Sequence, residues 1–199
     1  LRLRCNPNQN QLSDSCPGAT TDGIGLNWAV PLPGRVLMAS PVLAGGNLVV
    51  PLRNVQGRSG FGAVCALAPD NGQLRWCFDT ASQVVVTPVA AGGALVVSDI
   101  TGRISGLNPV DGSLLWSTSL DQSDPPGFVE HYLYAPPYLH EGNLYYCHQT
   151  GPFAISPSSG RIIWKAGNGY DSADHFGHSR GVVDNGYLYC SSYLNDTAR

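Results

Sequence analysis

Four tryptophans constrain this chain most strongly: Trp28, Trp76, Trp116 and Trp164 are separated by 48, 40 and 48 residues. Three of them close the same short phrase. Asp70-Asn71-Gly72-Gln73-Leu74-Arg75-Trp76, Val110-Asp111-Gly112-Ser113-Leu114-Leu115-Trp116 and Ser158-Ser159-Gly160-Arg161-Ile162-Ile163-Trp164 each place the indole four residues after a turn glycine. Trp28, in Leu26-Asn27-Trp28-Ala29-Val30, repeats only the strand part of the phrase. A repeat of about 40–50 residues is a supersecondary unit that cannot bury its own faces, so successive units must stack.

The rest of the unit recurs as well. Gly62-Ala63-Val64-Cys65-Ala66-Leu67 corresponds to Gly102-Arg103-Ile104-Ser105-Gly106-Leu107, with Gly151-Pro152-Phe153-Ala154-Ile155 a looser copy. Further upstream, Pro41-Val42-Leu43-Ala44-Gly45-Gly46-Asn47-Leu48-Val49-Val50 corresponds to Pro88–Val97, Pro137–Tyr146 and Gly181–Tyr189. Each unit reads as strand, Gly turn, strand, loop, strand, Asx-Gly turn, strand. The Gly-Gly, Asn-Gly and Asp-Gly pairs supply the positive φ that tight hairpins need, and no segment keeps a helical period. The expected fold is all-β, a β-propeller of four-stranded antiparallel blades with about four blade equivalents. Blades are expected at 40–80, 87–120 and 135–169, with a partial unit at 179–199 and the last strand of a shared blade at 26–32. Residues 1–25 read as a strand and a disulfide-tied loop. Leu1-Arg2-Leu3-Arg4 could supply a third strand, so the two ends could complete one blade and remove open edges. A closed four-blade ring, half of an eight-blade ring made by two chains, and a piece of a longer chain all fit the pattern. The first is preferred because it needs no unseen polypeptide.

These residues resemble the pyrroloquinoline-quinone-like repeat, with its Gly, apolar, Ala-Leu, Asp, Gly and Trp pattern, over about residues 26–199. That family includes quinoprotein alcohol dehydrogenases, bacterial outer-membrane assembly scaffolds and lumenal sensor domains of unfolded-protein kinases. The resemblance speaks to fold far more than to function. It implies that Trp28, Trp76, Trp116 and Trp164 are structural and dock between blades. It also sets a test for quinone chemistry: the dehydrogenases carry a disulfide between adjacent cysteines, and no Cys-Cys pair exists here. Calcium ligands and a catalytic Asp cannot be matched, so the chain is not expected to be an enzyme and no cofactor is expected.

Charged residues make up only 13% and the net charge is −3, with no basic cluster, which argues against nucleic acid as a partner. No run of 18 apolar residues occurs, so no membrane span is expected. The chain opens at Leu1 without a signal sequence, as either a processed protein or a piece of one. Its six cysteines form no CxxC pair, which favours disulfides over zinc and points to a secreted, extracellular protein; six buried thiols are the alternative. Cys65 and Cys77 lie symmetrically about Asn71 on opposite arms of a hairpin, where the next unit has Ser105 and Ser117. Cys5 and Cys16 bracket a polar loop. Cys147 and Cys190 would join neighbouring blades, although their strand phases are offset by one residue. Asn195-Asp196-Thr197 is a glycosylation sequon.

Two polar or aromatic clusters stand out. Asp171, Asp174, His175 and His178 are metal-ligand types at close spacing, against the preferred reading of an inter-blade loop with turn-capping carboxylates. Phe128, Tyr132, Tyr134 and Tyr138, joined by Tyr170 and His175, are the candidate binding surface, against ordinary packing between blades. They fall in the segments 120–138 and 166–180, the longest insertions. The function expected is a secreted, non-catalytic propeller that binds a protein or glycan at one loop face and acts as a binding or assembly module, with self-association open. A structural subunit of an extracellular fibre or coat, and a fragment of a quinone-dependent dehydrogenase, are the alternatives.

Overall fold

Tight Gly turns and short apolar runs give this chain sixteen strands and no α-helix among the residues described in a computed structural model: 27–36, 39–55, 60–120, 133, 135–148, 151–166, 174–176, 181–190 and 192–194. Blade 1 contains β1 (Val42–Ala44), β2 (Asn47–Arg53), β3 (Gly62–Leu67) and β4 (Leu74–Thr80). Blade 2 contains β5 (Val89–Ala91), β6 (Ala94–Ser98), β7 (Arg103–Leu107) and β8 (Leu114–Ser119). Blade 3 contains β9 (Tyr138–His140), β10 (Asn143–Tyr146), β11 (Phe153–Ile155) and β12 (Ile162–Lys165). Each is a four-stranded antiparallel meander in sequence order. A fourth unit supplies the hairpin of β14 (Val182–Asp184) and β15 (Tyr187–Tyr189). β13 (Asp174–Phe176) pairs with β16 (Ser192–Leu194) as a separate ribbon. The architecture is a β-propeller.

The first hairpin of every unit turns through two residues of positive φ: Gly45-Gly46, Gly92-Gly93, Glu141-Gly142 and Asn185-Gly186. Such turns match the right-handed twist of the flanking strands. First strands meet one another, β1 with β5 and β9 with β14, so the sheets radiate outward from their first strands. The core lies between sheets. Val49, Val64 and Ala66 of blade 1 pack on Leu95, Val97 and Leu107 of blade 2. Ala94, Val96 and Ile104 on the other face of blade 2 pack on Leu144, Tyr146, Phe153 and Ile155 of blade 3. Middle strands are thus buried on both faces, which explains their continuous apolar runs.

An indole closes the first two junctions from outside. Trp76 Nε1 donates to the carbonyl of Val110 at 2.9 Å, and Trp116 Nε1 to that of Pro157 at 3.0 Å. Trp28 does the same to Pro69 at 2.9 Å. Each ring lies on the turn glycine of the next blade, Gly72, Gly112 or Gly160. Residues 27–32 form no strand, unlike the expectation for 26–32. A strand needs a hydrogen-bonded neighbour, and the described residues include none beside this segment. Trp28 nevertheless docks as an outer-strand tryptophan, and Trp28 and Leu32 cover the free face of blade 1. The strand expected at Leu1–Arg4 lies outside the described residues.

Cys65 and Cys77 are directly opposite in the β3–β4 ladder and disulfide-bonded, with Cα atoms 4.1 Å apart. Cys147 and Cys190 join blade 3 to the β14–β15 hairpin. The phase offset between them is absorbed because each lies one residue beyond its strand, after β10 and β15, where side-chain alternation no longer binds. Cys5 and Cys16 lie outside the described residues.

Gly112 and Gly93 separate the clasp from backbone strain. Both have positive φ, 75° and 79°. A Cβ at Gly112 would stand 2.5 Å from the Trp76 ring, whereas one at Gly93 meets nothing within 4 Å. In urea unfolding, Gly93→Ala is expected to cost about 1 kcal/mol for the left-handed backbone alone. Gly112→Ala is expected to cost about 2–4 kcal/mol, because it also displaces the indole.

Candidate functional site

One cross-strand row runs through all three blades at the face turned to the next blade. It is Val42, Val49, Ala66 and Trp76 in blade 1. In blade 2 it is Val89, Val96, Gly106 and Trp116. Small and β-branched side chains let the next sheet approach closely. Blade 3 breaks the pattern with Tyr138, Tyr145, Ala154 and Trp164. His140 also replaces the Ala44 and Ala91 of the earlier blades.

The result is a chain of rings. Tyr138 stacks on His140, His140 meets Tyr145 edge-on, and Tyr145 tilts toward Trp164, each pair with centroids 6.3 Å apart. Val49 and Val96 are buried, but Tyr145 at the same position is only half-buried. Trp164 Nε1 has no hydrogen-bond partner among the described residues, whereas the other three indoles each hold a carbonyl. Asn143 is half-buried. Its counterpart Asn47 is fully buried and donates to the carbonyls of Pro109 and Val110.

The turn beside this row differs for the same reason. A Cβ at Gly45 would stand 2.6 Å from Pro109 of the next blade, and one at Gly92 would stand 2.9 Å from Pro157. Blade 3 carries Glu141 there, 83% exposed and 3.9 Å from His140. The row therefore presents phenol, imidazole and indole edges, an amide and a carboxylate along a partly open sheet face. Such a surface can stack on a ligand and orient it by hydrogen bonds. It contains no nucleophile held by a general base.

Other polar features are structural. A cavity of about 90 Å³ between blades 1 and 2 is lined by Asp79, Thr80, Asp99, Arg103, Ser105 and Ser117, among others. That is well below the ~300–1,000 Å³ of ligand pockets. Asp99 Oδ1 closes the β6–β7 turn by accepting from the N–H groups of Thr101 and Arg103. Between blades 2 and 3, the Tyr146 hydroxyl pairs with Ser98 Oγ at 3.1 Å, and its ring stacks on Phe153. Burial pushes this phenol well above the ordinary tyrosine range, the Ser98 bond opposing only in part.

Of the residues singled out in the sequence, the structure places Tyr138 in this row, on edge strand β9 within the blade expected at 135–169. Asp174 and His175 lie in β13, a strand where a loop was expected. Asp171, His178, Phe128, Tyr132, Tyr134, Tyr170 and Asn195 lie outside the described residues. Among the described residues, no three His, Cys, Asp or Glu side chains group as metal ligands, and no helix is long and apolar enough to cross a membrane. Tyr145, Asn143 and Glu141 were missed, and His140 was read from the sequence as a surface or loop residue. Aligning the repeats column by column would have exposed His140, Tyr145 and Glu141 as departures from Ala, Val and Gly.

A family model described as outer membrane protein assembly factor BamB matches residues 21–193. The chain belongs to this BamB-like family. Among solved structures, BamB from Moraxella catarrhalis is 19% identical with a TM-score of 0.62, over 84% of this chain and 47% of that one. The quinohemoprotein alcohol dehydrogenase ADHIIG from Pseudomonas putida HK5 is also 19% identical, with a TM-score of 0.53, over 70% of this chain and 22% of that one. At such identities these likenesses show the fold. A tetrathionate hydrolase from Acidithiobacillus ferrooxidans is 28% identical over 107 residues, covering 53% of this chain and 20% of the hydrolase. The chain thus spans about half the length of the Moraxella BamB and a fifth of the hydrolase. BamB-like and quinoprotein chains share the stacked blades seen here.

The Tyr146 phenol makes stability pH-dependent. Its folded pKa is raised above the unfolded value of about 10, so above that pH the folded state holds a proton that the unfolded state releases. Stability is complete below pH ~10 and falls as pH rises past it. Urea midpoints measured from pH 8 to pH 11 should drop for the native chain, and Tyr146→Phe should flatten that slope.

Proposed function

We propose that this BamB-like propeller is a secreted, non-catalytic binding or assembly module that takes a protein or glycan partner along the aromatic face of blade 3. The observation that carries the reading is the departure of blade 3 from the repeat. Blade stacking requires Val, Val and Ala at these positions, as the first two junctions show. Tyr138, Tyr145 and His140 depart from that set. Aromatic rings with polar tips are the side chains most enriched where proteins hold partners.

The two described disulfides favour an oxidising compartment. The absence of adjacent cysteines from the whole sequence removes one element that quinoprotein dehydrogenases use. Reconstitution with pyrroloquinoline quinone, calcium and an alcohol should give no dye reduction; sustained turnover would contradict the non-catalytic reading. Peptide and oligosaccharide arrays should yield binders of the native chain that the Tyr145→Val/His140→Ala variant loses, with unchanged melting temperature, since blades 1 and 2 fold with those residues. Identical array profiles for the two proteins would remove the face from consideration.

A further inference from the structure

Arg35 and Arg53 are distant in sequence, and the fold sets them side by side. The segment before β1 runs antiparallel to the end of β2, where the two arginines exchange both backbone bonds. Arg35 N–H donates to the Arg53 carbonyl at 2.8 Å, and Arg53 N–H donates to that of Arg35 at 3.0 Å. Residues paired in this way stand directly opposite, and their side chains leave one face about 5 Å apart at Cβ. Gly34 permits the approach, since a Cβ there would stand 3.0 Å from the Arg53 carbonyl oxygen. Two positive guanidinium groups are thereby held as cross-strand neighbours, an arrangement that destabilises a sheet.

No described side chain offsets the repulsion. Neither guanidinium has an ion-pair or hydrogen-bond partner among the described residues, and Arg53 Nε is buried without one. The row continues from Arg53 to Gly62, which has no side chain, and then to Thr80, whose hydroxyl donates to the Ser82 carbonyl at 2.6 Å. Between Asp22 and Asp70 the chain holds three arginines, Arg35, Arg53 and Arg58, and no acidic residue. Arg58 lies outside the described residues. The backbone bond itself does not require charge: blade 2 makes a similar one between uncharged residues, from Ile100 N–H to the Gln83 carbonyl at 3.0 Å.

We infer that Arg35 and Arg53 form a site for a doubly charged tetrahedral oxyanion, a sulfate or phosphate, either free or as the end group of an ester. The planar guanidinium fork presents N–H groups that match such oxygens in pairs. A dianion balances the two positive charges and gives Arg53 Nε the acceptor it lacks. Arg35 is exposed and Arg53 half-buried, so one side of the anion stays open to solvent, where an ester substituent can leave.

Calorimetric titration of the oxidised chain with sodium sulfate and with sodium phosphate, at an ionic strength held constant with sodium chloride, tests this. Both anions should bind at one site. Arg35→Gln should weaken binding about tenfold or more, as loss of one charged hydrogen-bonding partner does. Arg35 is exposed, so this variant should keep the native melting curve. Arg53→Lys keeps the charge but loses the fork, and should also weaken binding. Arg161→Gln, at an exposed position of blade 3, should leave it unchanged. In proton–nitrogen NMR spectra the Arg53 Nε–H signal should shift with sulfate and not with chloride. Glycerol 3-phosphate that binds as tightly as phosphate would support an esterified group as the ligand, and weaker binding would support the free ion. No heat of binding up to about 10 mM anion, equal affinity in the native and Arg35→Gln chains, or an Arg53 Nε–H signal that sulfate leaves in place would each overturn the inference. Such a failure would leave the blade 3 reading standing, because neither arginine belongs to that face.

Discussion

An indole lying on the turn glycine of the next sheet, with its N–H on a carbonyl of that turn, is the interaction on which this architecture depends. A four-stranded sheet with both faces apolar cannot remain single in water. What fixes its neighbour is this contact at the rim: Trp28 on the Pro69 turn, Trp76 on the Val110 turn and Trp116 on the Pro157 turn. The bulge that follows each Asx-Gly turn serves it. At Ala66/Leu67, Gly106/Leu107 and Ala154/Ile155 the register shifts by one residue, so the residue four after the glycine faces the next blade. Sequence spacing, turn type and blade stacking are therefore one constraint seen at three levels.

Much of this was legible in the residues. The recurring Trp phrases and the paired turn glycines marked the strands and blades, because each element carries its own local signal. The pairing of Cys65 with Cys77 was also visible, since hairpin symmetry alone sets it. The ribbon of β13 and β16 was not: Asp174-His175-Phe176 has no alternation, and its partner lies across another hairpin. The aromatic row was hidden for a different reason. Tyr145 and His140 look like ordinary strand residues until register sets them beside Val49, Val96, Ala44 and Ala91. Only then do they read as substitutions in a repeat rather than as parts of it.

The family relationship fits this division. BamB-like chains and quinoprotein enzymes share blades, so the shared columns speak to folding and the divergent ones to use. In this chain the divergence concentrates after blade 2. There Glu141 replaces a turn glycine, Trp164 lacks a carbonyl among the described residues, and a disulfide ties the end of β10 to the end of β15 across the junction. The protein thus keeps two uniform junctions as a scaffold and modifies the third.

Hydrogen exchange at the four indole nitrogens, followed by NMR, tests the central claim most directly. Trp28, Trp76 and Trp116 should each retain the Nε1 proton far longer than an exposed indole does, because each donates it across a blade junction. Exchange of Trp76 and Trp116 at the rate of free tryptophan in an otherwise folded chain would show that something else holds the blades together.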